Sequence, residues 1–285
     1  MVEKQLAHYD VAQLFSNPAQ GVRGLIYQDY EIQPHTHDFY ELNIVMGGSG
    51  LHRIANNCVP VKRGATFVIP PMTVHSYENT ANLAVYHLLL TPEFVRTYVN
   101  AEEDYGIRML LKIEPLLRGN ASKNLFLQLS ADQLSMVKND LDCILDNVSE
   151  SYPDTATFKK HTALKLLNWL AYLFVRQCDE KGRKIPNETE YAIMRTLDYI
   201  YENYASHITV DTLCRESNMS RATLFRNFKA YCGCSPMAFL RSHRKAVAVS
   251  LLAQKGRSKT EIANECGFYD LSHMEKVLNA PAAID

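Results

Sequence analysis

A helix-turn-helix pattern occurs twice in the C-terminal part of the chain, and it restricts that part to short helices packed around small cores. In the first copy, Leu213 and Cys214 face inward, Met219 fills the turn, and Leu224 and Phe228 anchor the second helix. The second helix of such a motif keeps one face exposed, so that it can enter the major groove of DNA. The pattern therefore predicts a DNA-reading helix after Met219.

The second copy places Ile262 and Ala263 at the inward positions, Cys266–Phe268 in the turn, and Met274 and Leu278 at the anchoring positions. A single match is a weak signal, because any bundle of three helices can imitate it. Two matches in tandem, joined by a long helix that opens with an N-cap serine and a proline, form a specific signal. We therefore expect an all-α C-terminal unit with two helix-turn-helix motifs.

Side chains on the outward faces of the two second helices are the candidates for DNA contacts. They are Arg221, Ala222, Phe225, Arg226 and Lys229 in the first copy and Leu271, Ser272 and Lys276 in the second, where Glu275 also faces outward. Charge supports this assignment, because every charged residue from Arg221 to Lys259 is basic, although the formal net charge of the chain is -1. A basic stretch neutralises phosphates and makes DNA affinity salt-dependent. An ordinary solvated surface is the alternative explanation.

Residues 190–278 resemble the DNA-binding unit of the AraC/XylS family of transcription regulators. The matching residues include Leu213, Met219–Arg221, Leu224–Lys229, Gly233, Ser235, Pro236, Ile262, Ala263 and Cys266–Phe268. The resemblance implies that Ala222, Phe225 and Arg226 lie where the family contacts bases. Arg226 can bind guanine through two hydrogen bonds, which is worth ~1–3 kcal/mol of discrimination. Arg221 and Lys229 are expected to contact phosphates.

Three features depart from the family pattern. Asn227 replaces an apolar residue, and His273–Met274 replaces an aromatic pair. The segment Asn279–Asp285 does not resemble the one with which the family normally closes its second motif. The second helix-turn-helix is therefore expected to be incomplete. This leaves three alternatives: an unstable motif, completion by a partner, and a truncated regulator with weak or no DNA binding.

The N-terminal part, from Gly21 to Leu90, alternates short apolar segments with glycine and asparagine turns, which is typical of a small barrel or sandwich. Two motifs of the cupin barrels are matched in order within it, the first by His35, His37, Glu41 and Gly47 and the second by Gly64, Pro70, His75 and Asn79. The resemblance implies a cupin-like β-barrel that can hold one small ligand.

Four of these side chains, His35, His37, Glu41 and His75, hold the metal in metal-binding cupins, and such a set suits iron, manganese, nickel or zinc. The segment His37–Leu42 most resembles sensors of sugars, including rhamnose-type regulators, which adds Tyr40 to the same residues as an effector contact. Three roles stay open: groups that satisfy each other, effector contacts, and metal ligands. The last role would permit a metal-dependent cupin enzyme.

Helical spacing replaces the strand pattern in the middle of the chain, with two helices expected near Ala131–Asn147 and Thr157–Cys178. Both are candidates for a dimer contact. A charged stretch with glycine and proline marks residues 181–188 as a linker. We therefore expect an α+β chain, with residues 1–180 as the effector-binding and dimerisation domain and residues 189–285 as the DNA-binding domain.

The sequence shows no signal peptide and no apolar run that could span a bilayer, so a cytoplasmic location is expected. Its 7 cysteines lack zinc-finger spacing and are expected to be free. The sequence predicts a ligand-responsive transcription regulator of carbohydrate-utilisation genes, and not an enzyme. Expected partners are double-stranded DNA, a sugar effector, a second copy of the chain in a homodimer, and RNA polymerase. No cofactor and no membrane partner are expected.

Overall fold

A computed structural model describes residues 7–15, 21–54, 57–71, 73–99, 104–119, 126–145, 154–182, 187–253 and 257–279. The chain divides into two compact units, Met1–Lys184 and Ile185–Asp285. The strands of the described residues all lie in the first unit, and the second is helical, so the predicted α+β class is confirmed. Residues 183–186 of the predicted linker and residues 280–285 of the C-terminal segment lie outside the described residues.

The first unit contains an 8-stranded sheet. Its strands are β1 (Ala7–Tyr9), β2 (Val22–Tyr27), β3 (Ile32–His37), β4 (Tyr40–Ile54), β5 (Asn57–Lys62), β6 (Ala65–Ile69), β7 (His75–Leu90) and β8 (Leu127–Gln128). The strands are hydrogen-bonded in the order β1-β3-β7-β4-β6-β8, with β2 beside β7 and β5 beside β4. The pair β1 and β3 is parallel, and the other pairs are antiparallel.

Two long central strands, β4 and β7, divide the sheet into two halves. The first part of β4 also pairs with β6 and its last part with β5, while β7 pairs with β3 near its start and with β2 near its end. Register shifts in the middle of the β4–β7 pair mark the place where the strands bend. Gly48 lies there with a φ of +69°, and a Cβ on it would meet the carbonyl oxygen of Asn82 at 2.1 Å. Only glycine allows this approach.

Apolar side chains from both halves of the sheet form a common buried cluster. Val61 of β5, Phe67 of β6 and Tyr77 of β7 belong to it, each at most 2% exposed. Complete burial of a large apolar side chain contributes about 1.5–3 kcal/mol. This cluster stabilises the bent sheet and surrounds the polar groups described below.

Helices cover the rest of the first unit. They are α1 (Val11–Leu14), α2 (Pro92–Tyr98), α3 (Tyr105–Arg108), a π-helix (Met109–Ile113), α4 (Glu114–Gly119), α5 (Ala131–Ile144) and α6 (Thr155–Glu180). The two helices predicted in the middle of the chain are confirmed as α5 and α6. Ser130 and Gln133 form a capping box at the start of α5, which fixes that boundary.

A buried ion pair in α4 completes the edge of β6. The carboxylate of Glu114 accepts a hydrogen bond from the N–H of Val68 at 3.0 Å, and the guanidinium of Arg118 donates to the carbonyl oxygen of Val68. Nε of Arg118 also donates to Glu114 at 2.8 Å, and neither side chain is exposed. Because β8 pairs with β6 only at Ala65 and Thr66, these two side chains take the place of a neighbouring strand further along β6.

Replacement of Arg118 by methionine should destabilise the first unit by about 3–5 kcal/mol, because it leaves the Glu114 carboxylate buried without its counter-ion. Urea unfolding with an unchanged m value would measure this loss. The double variant E114Q/R118M removes both charges and should recover most of the stability. A loss below about 1 kcal/mol in the single variant would contradict a structural role for the pair.

The second unit consists of six helices within the described residues. They are α7 (Glu188–Asn203), α8 (Val210–Ser217), α9 (Arg221–Cys232), α10 (Pro236–Ala253), α11 (Lys259–Glu265) and α12 (Leu271–Asn279). Thr209, Ser220, Ser235 and Ser258 are N-caps, because each side chain accepts a hydrogen bond from the backbone N–H three residues later. Local side-chain hydrogen bonds therefore set these helix boundaries.

Most inward positions of both helix-turn-helix motifs are buried as predicted, whereas Cys214 and Leu278 are half-buried. Leu224 and Phe228 of α9 are 0% exposed, and Met274 of α12 belongs to a second core cluster with Ile262 and Ala263. Burial of these faces leaves the opposite faces of α9 and α12 free for a partner. Within the described ranges, no helix has the length and apolar character that crossing a bilayer requires.

Candidate functional site

A buried carboxylate, Glu41 of β4, lies at the centre of a polar cluster between the two halves of the sheet. Nδ1 of His87 donates to its Oε1 at 2.7 Å. Nε2 of His37 lies 3.1 Å from its Oε2, and Nε2 of His75 lies 3.9 Å from the same atom. The ring centroid of His35 is 4.1 Å from that of His75. The structure thus brings together four residues that the sequence singled out, and adds His87.

Each histidine of this Glu41 cluster is oriented by a hydrogen bond from Nδ1. The partners are carbonyl oxygens at 2.7–3.0 Å, namely Gln33 for His35, Phe39 for His37 and Thr73 for His75, and the Glu41 carboxylate for His87. Such oxygens only accept, so Nδ1 carries the proton and Nε2 of a neutral ring carries a lone pair. Nε2 of His75 and of His87 has no hydrogen-bond partner among the described residues, whereas Nε2 of His37 faces Oε2 of Glu41 at 3.1 Å. The Glu41 carboxylate and Nε2 of a neutral His75 are therefore the acceptors of the cluster.

Burial sets the charges in the Glu41 cluster. Desolvation lowers the pKa of His35 and of His75, so these two rings are neutral at pH 7. Burial alone would raise the pKa of Glu41. The charge and hydrogen bond of His87, together with those of His37, outweigh this effect and hold the pKa of Glu41 well below its usual value. The cluster therefore contains an ionised carboxylate.

His52 and Tyr77 extend the Glu41 cluster with hydrogen-bond donors. Nδ1 of His52 accepts a hydrogen bond from Arg118 at 3.3 Å, and the His52 ring lies 5.9 Å from that of His75. Because Nδ1 accepts, neutral His52 carries its proton on Nε2. This N–H, the hydroxyl of Tyr77 and the side-chain amide of Asn43 are buried without a partner in the described part of the chain. Donors and acceptors thus stand side by side.

Sequence reasoning missed His87, His52 and Arg118. His87 and His52 belong to no motif, and their only signal is a polar residue inside an apolar strand segment. Arg118 follows Glu114 at the spacing of a helical ion pair, but such pairs are usually exposed. Their importance comes from burial, which the local sequence does not reveal.

The exposed face of α9 carries the residues predicted to contact DNA. Arg221, Ala222, Arg226 and Lys229 are exposed, and Phe225 is half-buried with the guanidinium of Arg221 5.7 Å from its ring centroid. The three cations form no ion pair with the described residues. They are therefore available to phosphates and bases.

Two family models match the chain, each over one of the regions just described. The model of the AraC-like ligand binding domain matches residues 19–142, and a helix-turn-helix domain model matches residues 213–280. The first match contains the Glu41 cluster, and the second contains α9 and α12. The chain belongs to the AraC/XylS family of transcription regulators.

Curated relatives support this membership along most of the chain. The HTH-type transcriptional activators RhaR of Escherichia coli (strain K12) and of Shigella flexneri serotype 5b are each 25% identical over 243 residues, which is 85% of this chain and 81% of the relative. A solved structure of ToxT from Vibrio cholerae is 13% identical, covers 90% of this chain and 93% of that chain, and has a TM-score of 0.44.

Tyr30 is an aromatic residue beside the Glu41 cluster in this AraC/XylS regulator. Its ring centroid lies 4.8 Å from that of His87 and 5.2 Å from that of Tyr77, in edge-on contacts. Tyr40 is half-buried and precedes Glu41 in β4, so its side chain starts from the opposite face of the strand. The effector role of Tyr40 stays a prediction.

The second helix of the second helix-turn-helix motif, α12, differs from its counterpart α9. Ser272 and Lys276 are exposed as expected, whereas Leu271 is half-buried and packs against the core cluster of Met274. The DNA contact of Leu271 stays a prediction. Arg244, a member of the basic stretch, donates instead to the carbonyl oxygens of Tyr204 and Ser206, each at 2.7 Å. It therefore ties α10 to the end of α7.

The buried histidines of the regulator should make its first unit less stable in acid. Burial lowers the pKa of His52 and His75 well below 6.5, so the unfolded chain takes up protons first and stability falls as the pH drops through 6.5. His52→Gln, whose amide oxygen can still accept from Arg118, should show a shallower decline from about pH 7 to about pH 5. Urea unfolding at several pH values would measure both slopes. Equal slopes would contradict a neutral, buried His52.

Proposed function

We propose that this chain regulates carbohydrate-utilisation genes by binding a small, hydroxyl-rich effector at the Glu41 cluster and DNA through its second unit. The observation that carries the proposal is the set of buried donors and acceptors in that cluster without partners in the described structure. Buried polar groups are nearly always hydrogen-bonded. A ligand that provides the missing partners therefore gains free energy when it enters.

A sugar suits the Glu41 cluster because each hydroxyl both donates and accepts. Its hydroxyl groups can donate hydrogen bonds to Glu41 and to the Nε2 lone pair of His75. Its oxygens can accept from the N–H of His52 and the hydroxyl of Tyr77. An anionic ligand is disfavoured, because it would meet an ionised carboxylate in a buried place.

Aromatic surface beside the cluster supports the same class of effector. Tyr27 and Tyr30 stack with centroids 5.2 Å apart, and Tyr30 contacts His87. Carbohydrate sites combine such apolar faces with a few placed polar groups. The resemblance of the segment His37–Leu42 to sugar-sensing regulators supports the same class of effector.

A divalent transition metal is the second candidate occupant. Donor atoms of His35, Glu41 and His75 all lie within 4.8 Å of one another. The Nδ1–H groups of both histidines are bound to carbonyl oxygens, which is the usual arrangement behind a metal-binding imidazole. Imidazole and carboxylate donors suit iron, manganese, nickel or zinc. A bound metal would keep the cupin-enzyme alternative open, with His37 as a further ligand.

The DNA part of the proposal assigns Ala222, Phe225 and Arg226 to bases and Arg221 and Lys229 to phosphates. Ser272 and Lys276, with Leu271 at the edge of the core, are assigned to the second part of the DNA site. Effector binding would change DNA affinity through linkage between the two sites.

Partners beyond DNA and the effector belong to the proposal too. A homodimer is proposed through α5 and α6, which expose Met136, Phe158 and Tyr172 at 50–60%. These side chains would supply the apolar part of such a contact. RNA polymerase is the proposed partner for activation, at promoters where the chain binds.

Arg226→Ala should relax selectivity at one base pair by about 1–3 kcal/mol, whereas Lys229→Ala should weaken binding to all sequences alike and lower the salt slope by about one. Fluorescence anisotropy measures both the base selectivity and the salt slope. It uses DNA fragments from upstream of the protein's own and neighbouring genes, over a series of salt concentrations. The control is Arg96→Ala, an exposed cation of the first unit. A folded wild-type protein that binds no fragment would favour the truncated-regulator alternative.

Addition of the cognate sugar should raise the melting temperature, by mass action, and His75→Ala, which removes a proposed acceptor for the sugar, should abolish this rise without loss of DNA affinity in the free protein. A thermal-shift assay with a panel of neutral sugars measures the rise in melting temperature. Sugar acids, which are anionic, should produce no rise. His207→Ala, an exposed histidine of the second unit, is the matched control. Tight binding of a transition metal that a chelator removes, with no response to any sugar, would favour the second candidate.

A further inference from the structure

The two DNA-reading helices align residue by residue from their N-caps. Ser220 caps α9, and Asp270 accepts a hydrogen bond from the N–H of His273 at 2.7 Å and thereby caps α12. Counted from these caps, the buried Leu224 of α9 corresponds to the buried Met274 of α12. The outward faces of the two helices can therefore be compared position by position.

The outward faces differ in chemistry. The face of α9 consists of Ala222, Phe225, Arg226 and Lys229, and the equivalent face of α12 consists of Ser272, Glu275, Lys276 and Asn279. The four side chains of α12 line one shallow depression of the surface. The face of α9 is thus apolar and cationic, whereas that of α12 has no net charge and is made only of hydrogen-bonding groups.

Glu275 is the residue that sets α12 apart, because Phe225 occupies the equivalent position of α9. Its carboxylate lies 3.6 Å from Nζ of Lys259 and is 48% exposed. Arg257 of the second motif is likewise paired with Glu265, at 2.6 Å. The second motif therefore offsets much of its own positive charge, in contrast to the unpaired cations of α9.

A carboxylate on a helix in the major groove repels phosphates and can only accept hydrogen bonds. The donors at base edges in that groove are N4 of cytosine and N6 of adenine. Adenine places the acceptor N7 beside N6, which repels a carboxylate, and guanine and thymine present acceptors only. Cytosine is therefore the base that Glu275 fits.

We propose that Glu275 is a specificity-determining residue that selects cytosine at one position of the DNA read by α12. Lys259 holds the carboxylate on the exposed face and offsets its repulsion from nearby phosphates. The selection is absent from the part of the site read by α9, where Phe225 cannot accept a hydrogen bond. This inference rests on the proposed DNA-binding function.

Selection from a random DNA library with the full chain tests the proposal. The wild type should enrich cytosine at one position, with a preference of roughly 5- to 150-fold over the other bases. Glu275→Gln should shift that preference to adenine, which glutamine binds through two hydrogen bonds, and Glu275→Ala should remove it. Preferences at all other positions should stay unchanged.

Two controls separate this inference from the function on which it rests. Arg226→Ala should alter a different position, and Glu202→Gln, an exposed glutamate of α7, should alter none. Enrichment by the wild type with a profile that both Glu275 variants leave unchanged would overturn the role of Glu275 alone. No enrichment by a folded wild type would overturn the DNA-binding function, and the inference with it.

Discussion

The burial of an ionised carboxylate between the two halves of the sheet is the constraint on which the first unit depends. An unpaired buried charge costs several kcal/mol, so Glu41 requires groups that favour its charged form. His87 and His37 provide them, and the apolar cluster of Phe67 and Tyr77 supplies the free energy that offsets the burial of polar groups. The bend of β4 and β7 brings these residues together, because it folds one half of the sheet over the other.

The polar interior continues into the helices of the first unit. His52 accepts from Arg118, Arg118 is paired with Glu114, and both bind the backbone of Val68 at the edge of β6. Each step satisfies a group that would otherwise be buried without a partner. The same chain of contacts thus anchors α4 and leaves the N–H of His52 directed to the Glu41 cluster. His52 thus supports Arg118 through Nδ1 and offers a free N–H donor through Nε2.

The two helix-turn-helix motifs of the second unit share one architecture but differ in the charge they expose. Both DNA-reading helices are held by local caps and by buried anchors such as Phe228 and Met274. The cations of α9 are unpaired within the described residues, while Lys259 and Arg257 are balanced by glutamates. Under the proposed function, attraction to phosphates is therefore assigned mainly to the first motif and hydrogen bonds with base edges to the second.

The sequence by itself determined what depends on neighbours along the chain. Helix starts at Ser220 and Ser258 follow from a side chain that binds a backbone N–H three residues away, and helical spacing marks the inward faces of α9 and α12. The two cupin-like motifs of the N-terminal part also single out His35, His37, Glu41 and His75, because the pattern of each motif is local. These features were predictable, since their physical cause acts over a few residues.

Only the tertiary structure decided which groups meet across the fold. His87 joins Glu41, and Arg118 joins His52, through strand pairing and helix packing between distant segments. The same long-range packing places Tyr30 beside the Glu41 cluster and packs Leu271 against the core cluster of Met274. No periodicity encodes such contacts, because they depend on register, on the bend of two strands and on burial, and these arise only when the whole unit is folded.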